Sequence, residues 1–170
     1  MLPRSYVLVI AEKPRAAQKI AQALGGCFAK MLRIRGIPVW LVKWRGQDYV
    51  IASAAGHLYA LHTDEKGYPV FSFRWVPRYL VDNNAKHTKR FLEVLKALSK
   101  NAILYVNACD YDIEGSLIGY LIIEHLGDTR RAKRARFSSL TAQEVIRAFT
   151  NLTSLDMNMV EAGYCRHALD

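Results

Sequence analysis

Two continuous β-prone apolar runs, Tyr6–Ala11 (YVLVIA) and Ile103–Ala108 (ILYVNA), constrain the fold of this chain most. A strand with one wet face alternates apolar and polar residues; these runs do not, so both of their faces must be covered. Such strands belong to parallel sheets with helices packed on either side. Each run also leads straight into charged residues and a helix-opening signal. The first is followed by Glu12-Lys13-Pro14 and the second by Asp110-Tyr111-Asp112-Ile113-Glu114-Gly115.

The rest of the chain fits that frame. After Pro14, which suits a first helical turn, Ala16, Ile20, Ala21 and Leu24 keep helical spacing until Gly25-Gly26. Strand-like segments around Leu32–Ile34, Val39–Lys43 and Tyr49–Ser53 are separated by Gly36-Ile37-Pro38 and Arg45-Gly46-Gln47-Asp48, a pattern that predicts hairpins. Thr63–Asn84 is aromatic and aperiodic and reads as a surface excursion. A helix is predicted from near His87, carried by Phe91, Leu92, Leu95 and Leu98. Beyond the acidic segment the expectations are a helix over Leu117–Leu126, a short strand at Arg136–Phe137 and a helix over Ala142–Phe149. The pattern then changes at Thr153, with Asp156 placed to cap a helix reaching at least Arg166. The fold class is therefore α/β, Rossmann-like, with a mainly parallel central sheet, helices on both faces and an inserted β-hairpin region. Residues 1–152 are expected to form that domain, and 153–170 the start of a following helical one.

At 170 residues and 51% apolar composition the chain can bury a core of its own. Its three cysteines, Cys27, Cys109 and Cys165, are scattered without a CxxC pair. That argues against a zinc framework and for a reduced, cytoplasmic setting. No apolar stretch approaches the length of a membrane span, so no membrane partner is expected. A net charge of +9 favours a polyanionic partner without naming one. No G-x-x-x-x-G-K-[ST] element is present, so no nucleotide cofactor is expected.

Asp110, Asp112 and Glu114 carry the chemistry. In extended geometry residues at i, i+2 and i+4 point the same way, so these carboxylates converge beyond the carboxyl end of their strand, where open α/β sheets bind ligands. An oxygen-only donor set suits Mg²⁺, and three close carboxylates repel one another unless a cation or protons neutralise them. The plainer alternative is an acidic loop capping the next helix. Glu12 ends the other apolar run; if the two strands are neighbours it lies beside this cluster, placed to exchange a proton with a reacting oxygen. Lys13 then supplies a compact cation for phosphate.

These features resemble the TOPRIM module shared by topoisomerases, primases and some nucleases. The likeness narrows along the chain. Val9-Ile10-Ala11-Glu12-Lys13-Pro14 is similar to the opening of archaeal and topoisomerase III-like type IA enzymes, and Ala55-Gly56-His57-Leu58 to their G-H-L element. Arg136-Phe137-Ser138-Ser139-Leu140-Thr141 and Glu161-Ala162…Arg166…Asp170 resemble the exit into the next topoisomerase domain. Tyr111, Ile113 and Ser116 depart from the usual D-P-D-R-E-G-E. No tyrosine here sits in a G-Y-I-S-Y-P-R-T-like segment, so the resemblance implies an N-terminal fragment that lacks the cleaving nucleophile and is inactive alone.

The resemblance further implies catalytic roles for Glu12, Lys13, Asp110, Asp112 and Glu114, with Mg²⁺ held by Glu12 and the three acids of the second motif. The expected partners are DNA, single-stranded by preference, and the remaining domains of a parent topoisomerase. Arg131, Arg134 and Arg136, within a dense basic run, are expected to contact backbone phosphates, as are His57 and Arg166 by likeness. A TOPRIM nuclease or primase-type phosphotransferase, and a non-enzymatic basic DNA-binding module, stay open beside this reading. Trp40, Trp44 and Trp75 read as packing residues.

Overall fold

The computed structural model describes residues 1–170. In chain order the elements are β1 (Tyr6–Ala11), α1 (Pro14–Gly25), β2 (Lys30–Ile34), β3 (Ile37–Trp44), β4 (Gln47–Ser53), β5 (Tyr59–His62), β6 (Arg74–Pro77), α2 (Thr88–Ser99), β7 (Ala102–Asn107), α3 (Ile113–Leu126), β8 (Ala132–Arg134), α4 (Ala142–Thr150) and α5 (Met157–Leu169). Six strands form one sheet in the order β2-β3-β4-β1-β7-β8. The strands β4, β1, β7 and β8 run parallel, while β2 and β3 form an antiparallel edge. This is the expected α/β architecture, with the two apolar runs as direct neighbours.

The lack of alternation in β1 has the expected cause. Tyr6, Leu8 and Ile10 pack into one core with Leu95 and Leu98 of α2 and Leu117 and Leu121 of α3. Val7, Val9 and Ala11 pack into a second core with Ile20 and Leu24 of α1 and Val145 and Phe149 of α4. The sheet is thus apolar on both faces and lies between two helical layers. The hairpins turn at Arg35-Gly36 (φ 51° and 80°) and Arg45-Gly46 (φ 51° and 78°). Two consecutive positive φ values match the twist of tight hairpins, and glycine takes the second position at no steric cost.

Several boundaries differ from expectation. The last strand is β8 at Ala132–Arg134, not Arg136–Phe137, because Ala132 and Arg134 are buried either side of exposed Lys133 in register with β7. Pro38, expected in a separator, lies within β3 opposite Arg33. The excursion from Thr63 is closed by β6, which pairs with β5 as a separate two-stranded sheet. Helix α3 begins at Ile113, four residues before Leu117. Residues 153–170, expected to open a following domain, contact β8 and α3. Thr153 exchanges backbone hydrogen bonds with Arg134, and α5 packs on α3 where Gly163 meets Leu117.

Candidate active site

The carboxyl ends of β1 and β7 lie side by side, tied by Ala108 N–H donating to the Ile10 carbonyl at 2.9 Å. Glu12 follows β1 and Asp110 follows β7, so topology alone puts the two acidic segments together at one sheet edge. Beside them, Gly56 N–H donates to the Glu12 carbonyl at 3.2 Å. Gly56 takes a φ of 72°, and this turn delivers His57 to the same edge.

Asp112 is the N-cap of α3. Its backbone is extended and its Oδ1 accepts from Gly115 N–H at 2.7 Å. Gly115 is required here because a Cβ at that position would run into the carbonyl of Asp110. Asp110 and Asp112 are both exposed, with an open depression of about 540 Å³ between them and Lys19, Ser138 and Ser139. The two serines belong to the segment Arg136–Thr141 singled out in the sequence, whereas Lys19 carried no signal, since helical spacing alone does not show which turn of α1 overlooks the site.

Burial, then the charges of Asp110 and Asp112, push the Glu12 carboxyl above its ordinary range, while Lys13 and Arg134 act the other way. The folded state therefore holds the Glu12 proton more tightly than the unfolded chain. That stabilisation is full below the ordinary glutamate pKa and is lost as pH rises through the raised folded value. At about pH 7 the ionised group opposes folding. Glu12→Gln is accordingly expected to raise the thermal midpoint at about pH 7 in metal-free buffer, and to leave it unchanged at about pH 3. A variant melting below wild type at the higher pH would refute this electrostatic account.

Glu114 contacts two histidines and an arginine. The extended alternation expected from Asp110 to Glu114 is absent: β7 ends at Asn107, Asp112 N–H turns back onto the Asp110 carbonyl at 2.9 Å, and Glu114 lies in the first turn of α3. Its Oε2 lies 2.5 Å from His57 Nε2 and 3.1 Å from His167 Nε2, and its Oε1 lies 3.6 Å from Arg166. Burial pushes Glu114 up, but hydrogen bonds from His167 and His57 outweigh it and hold the carboxyl low. Burial in turn lowers His57, which favours its neutral form.

The basic residues separate. Arg136 is exposed at the site edge, its guanidinium 5.1 Å from the Tyr111 ring centre. Arg166 is exposed beside Glu114. Arg131 is at the opposite edge, where it donates to the carbonyl of Ala102 at the start of β7. The length of a six-residue strand, about 20 Å, separates it from the acids. Arg134 corrects the sequence expectation outright. It is 1% exposed, and its guanidinium donates to the carbonyls of Asn107, Cys109 and Asp110 at 3.0, 2.6 and 2.6 Å. It is a buried brace under the acidic turn, not a phosphate contact.

The donor chemistry of the edge fits a hard divalent cation. Glu12, Asp110 and Asp112 offer only oxygen, and their mutual repulsion leaves negative charge in excess. Mg²⁺ commonly binds through one or two carboxylates while keeping its waters.

The Toprim domain family matches residues 7–140. This chain belongs to that family. DNA topoisomerase 1 of Aeropyrum pernix is 46% identical over 163 residues, 95% of this chain and 24% of the archaeal protein. DNA topoisomerase 1 of Methanocaldococcus jannaschii is 44% identical over 96% of this chain and 22% of its own length. The chain thus spans about a quarter of the relatives it matches. In fold, this Toprim domain is similar to part of full-length topoisomerase I from Thermotoga maritima. The TM-score is 0.63 at 23% identity, over 95% of this chain and 23% of the bacterial one.

Proposed function

We propose that this Toprim domain is the phosphate-handling and metal-binding part of a type IA DNA topoisomerase. It would assist single-strand cleavage and religation by a tyrosine supplied outside residues 1–170. The observation that carries this reading is the meeting of Glu12 with Asp110 and Asp112 at the adjoining ends of β1 and β7. The names of the archaeal relatives support the reaction class over a Toprim nuclease or primase-type phosphotransferase.

In this reading Glu12 protonates the departing 3′ oxygen on cleavage and takes the proton back on religation, a role suited to a carboxyl whose proton is held more tightly than usual. Lys13, exposed and next in the chain, neutralises charge on the reacting phosphate. Asp110 and Asp112 hold Mg²⁺, which supplies charge neutralisation near the scissile phosphate. Glu114, the third acid of the motif, completes the expected ligand set and also contacts His57. Of the cations, Arg136 and Arg166 are positioned to meet the DNA backbone, and single-stranded DNA is the expected substrate.

Mg²⁺ titration of the chain by NMR tests the metal assignment. The signals of Glu12, Asp110 and Asp112 and their neighbouring amides should move together. The Asp110→Asn, Asp112→Asn double variant should not respond, because two charges are lost at constant size. Equal responses from both proteins would sink the assignment.

A further inference from the structure

The open depression beside Asp110 and Asp112 contains a cation without a partner. Lys19 lines it together with the two acids, yet it is exposed and takes part in no ion pair of the domain. An ammonium and two carboxylates that border one cavity without pairing leave room for a ligand of both signs. A phosphate would meet the lysine and the cation that neutralises it would meet the acids. Arg15, one helical turn before Lys19, is likewise exposed and outside every ion pair. Residues at i and i+4 are neighbours on a helix surface, and like charges there are mutually unfavourable, a cost that a bound polyanion relieves. The helix packed against α1 does not relieve it. The one acid in the first turn of α4, Glu144, is engaged by Arg147 at 2.5 Å.

The rest of the lining suits a nucleic-acid strand. Ser138 and Ser139 are exposed hydroxyls in the turn before α4, and Ser139 Oγ lies 3.4 Å from the hydroxyl of Thr141. Serine hydroxyls and lysine are common partners of backbone phosphates. Lys19 and Leu140 also border a second depression of about 270 Å³, with Gln22, Ala23 and Ala142, so the space continues from the acids past Lys19. A small isolated anion needs no such continuation. A track with a cation along it fits a chain of phosphates.

We propose that Lys19, with the hydroxyls of Ser138 and Ser139, forms a second phosphate subsite. It holds a backbone phosphate of the single strand that flanks the phosphate at the acids. The proposal rests on the DNA-handling role proposed above and adds a binding residue to it. As a point-charge contact, Lys19 fixes where the strand lies without reading its sequence.

Fluorescence anisotropy of a labelled single-stranded oligothymidylate tests it, with the full-length protein carrying this domain and a KCl series in EDTA. Lys19→Gln should weaken binding and flatten the log–log salt slope by about 0.7, the loss of one phosphate contact on a single strand. Gln is a good helix former at an exposed position, so α1 should persist. Lys19→Arg keeps the charge and should keep the slope. Lys100→Gln makes the same charge change at an exposed site before the start of β7, at the opposite edge of the sheet, and should leave the slope unaltered. Ser138→Ala with Ser139→Ala should weaken binding by about tenfold at constant slope, since hydrogen bonds to phosphate are lost but no charge is. A parent protein whose affinity scarcely depends on salt would reject the DNA-handling role itself. With a salt-dependent parent, an unchanged slope in Lys19→Gln, an equal flattening in Lys100→Gln, or parental affinity in the serine variant would each overturn the Lys19 subsite alone.

Discussion

Replacing Arg134 with Met is expected to lower the unfolding free energy by about 3–5 kcal/mol, a large fraction of what holds a domain of this size together. Arg134 is 1% exposed, and it closes the loop between β7 and α3 from below. Its two terminal nitrogens reach the carbonyls of Asn107, Cys109 and Asp110. Met conserves apolar bulk but leaves those oxygens without donors, at a cost of about 1–3 kcal/mol for each that stays dry. Relief of burying a cation offsets part of this, since Nε has no partner even in the native protein. Lys has one compact head group where Arg has a fork, so Arg134→Lys should fall between the two. Urea unfolding followed by circular dichroism measures both variants. A Met variant within about 1 kcal/mol of wild type would show that these hydrogen bonds do not brace the turn.

The same residue shows where the sequence is hard to read. A run of five basic residues in seven positions reads as a solvated face, and only the register of β8 against β7 reveals that every second residue points inward. Lys133 stays outside, while Ala132 and Arg134 go in. The direction of β8 likewise decides that Arg131 lies at the far edge and Arg136 at the near one, a matter of sheet order that no local pattern encodes.

The core was far more legible. The unbroken run of β1 is buried on both faces throughout and that of β7 from Tyr105 on, with Ile103 exposed near its start, and the charged residues at their ends mark the edge where such sheets bind ligands. The adjacency of Glu12 and Asp110 followed from pairing those two runs, and the structure pairs them. The start of α3 was hidden because Asp112 and Gly115 are loop-forming types. Here one caps the helix and the other fits under the Asp110 carbonyl. That shift of four residues places Glu114 in the first helical turn, where it meets His57 and His167. The histidine cluster itself joins residues more than a hundred positions apart, beyond the reach of any spacing rule.

The central claim concerns the acid pair at the end of β7, and relaxation of negatively supercoiled plasmid by the full-length protein carrying this domain tests it most directly. Asp110→Asn with Asp112→Asn removes two negative charges while keeping side-chain size. Asn at 112 retains an oxygen to cap α3, so the fold is expected to survive. Loss of one well-placed electrostatic element in an active site costs about 10²–10³ in rate, so the Mg²⁺-dependent relaxation rate should fall by at least that factor. Raising the Mg²⁺ concentration should restore little, because the residues that concentrate it beside Glu12 and Lys13 are gone. Relaxation by the double variant at the wild-type rate, with the wild-type dependence on Mg²⁺, would contradict the assignment of this edge as the catalytic metal centre.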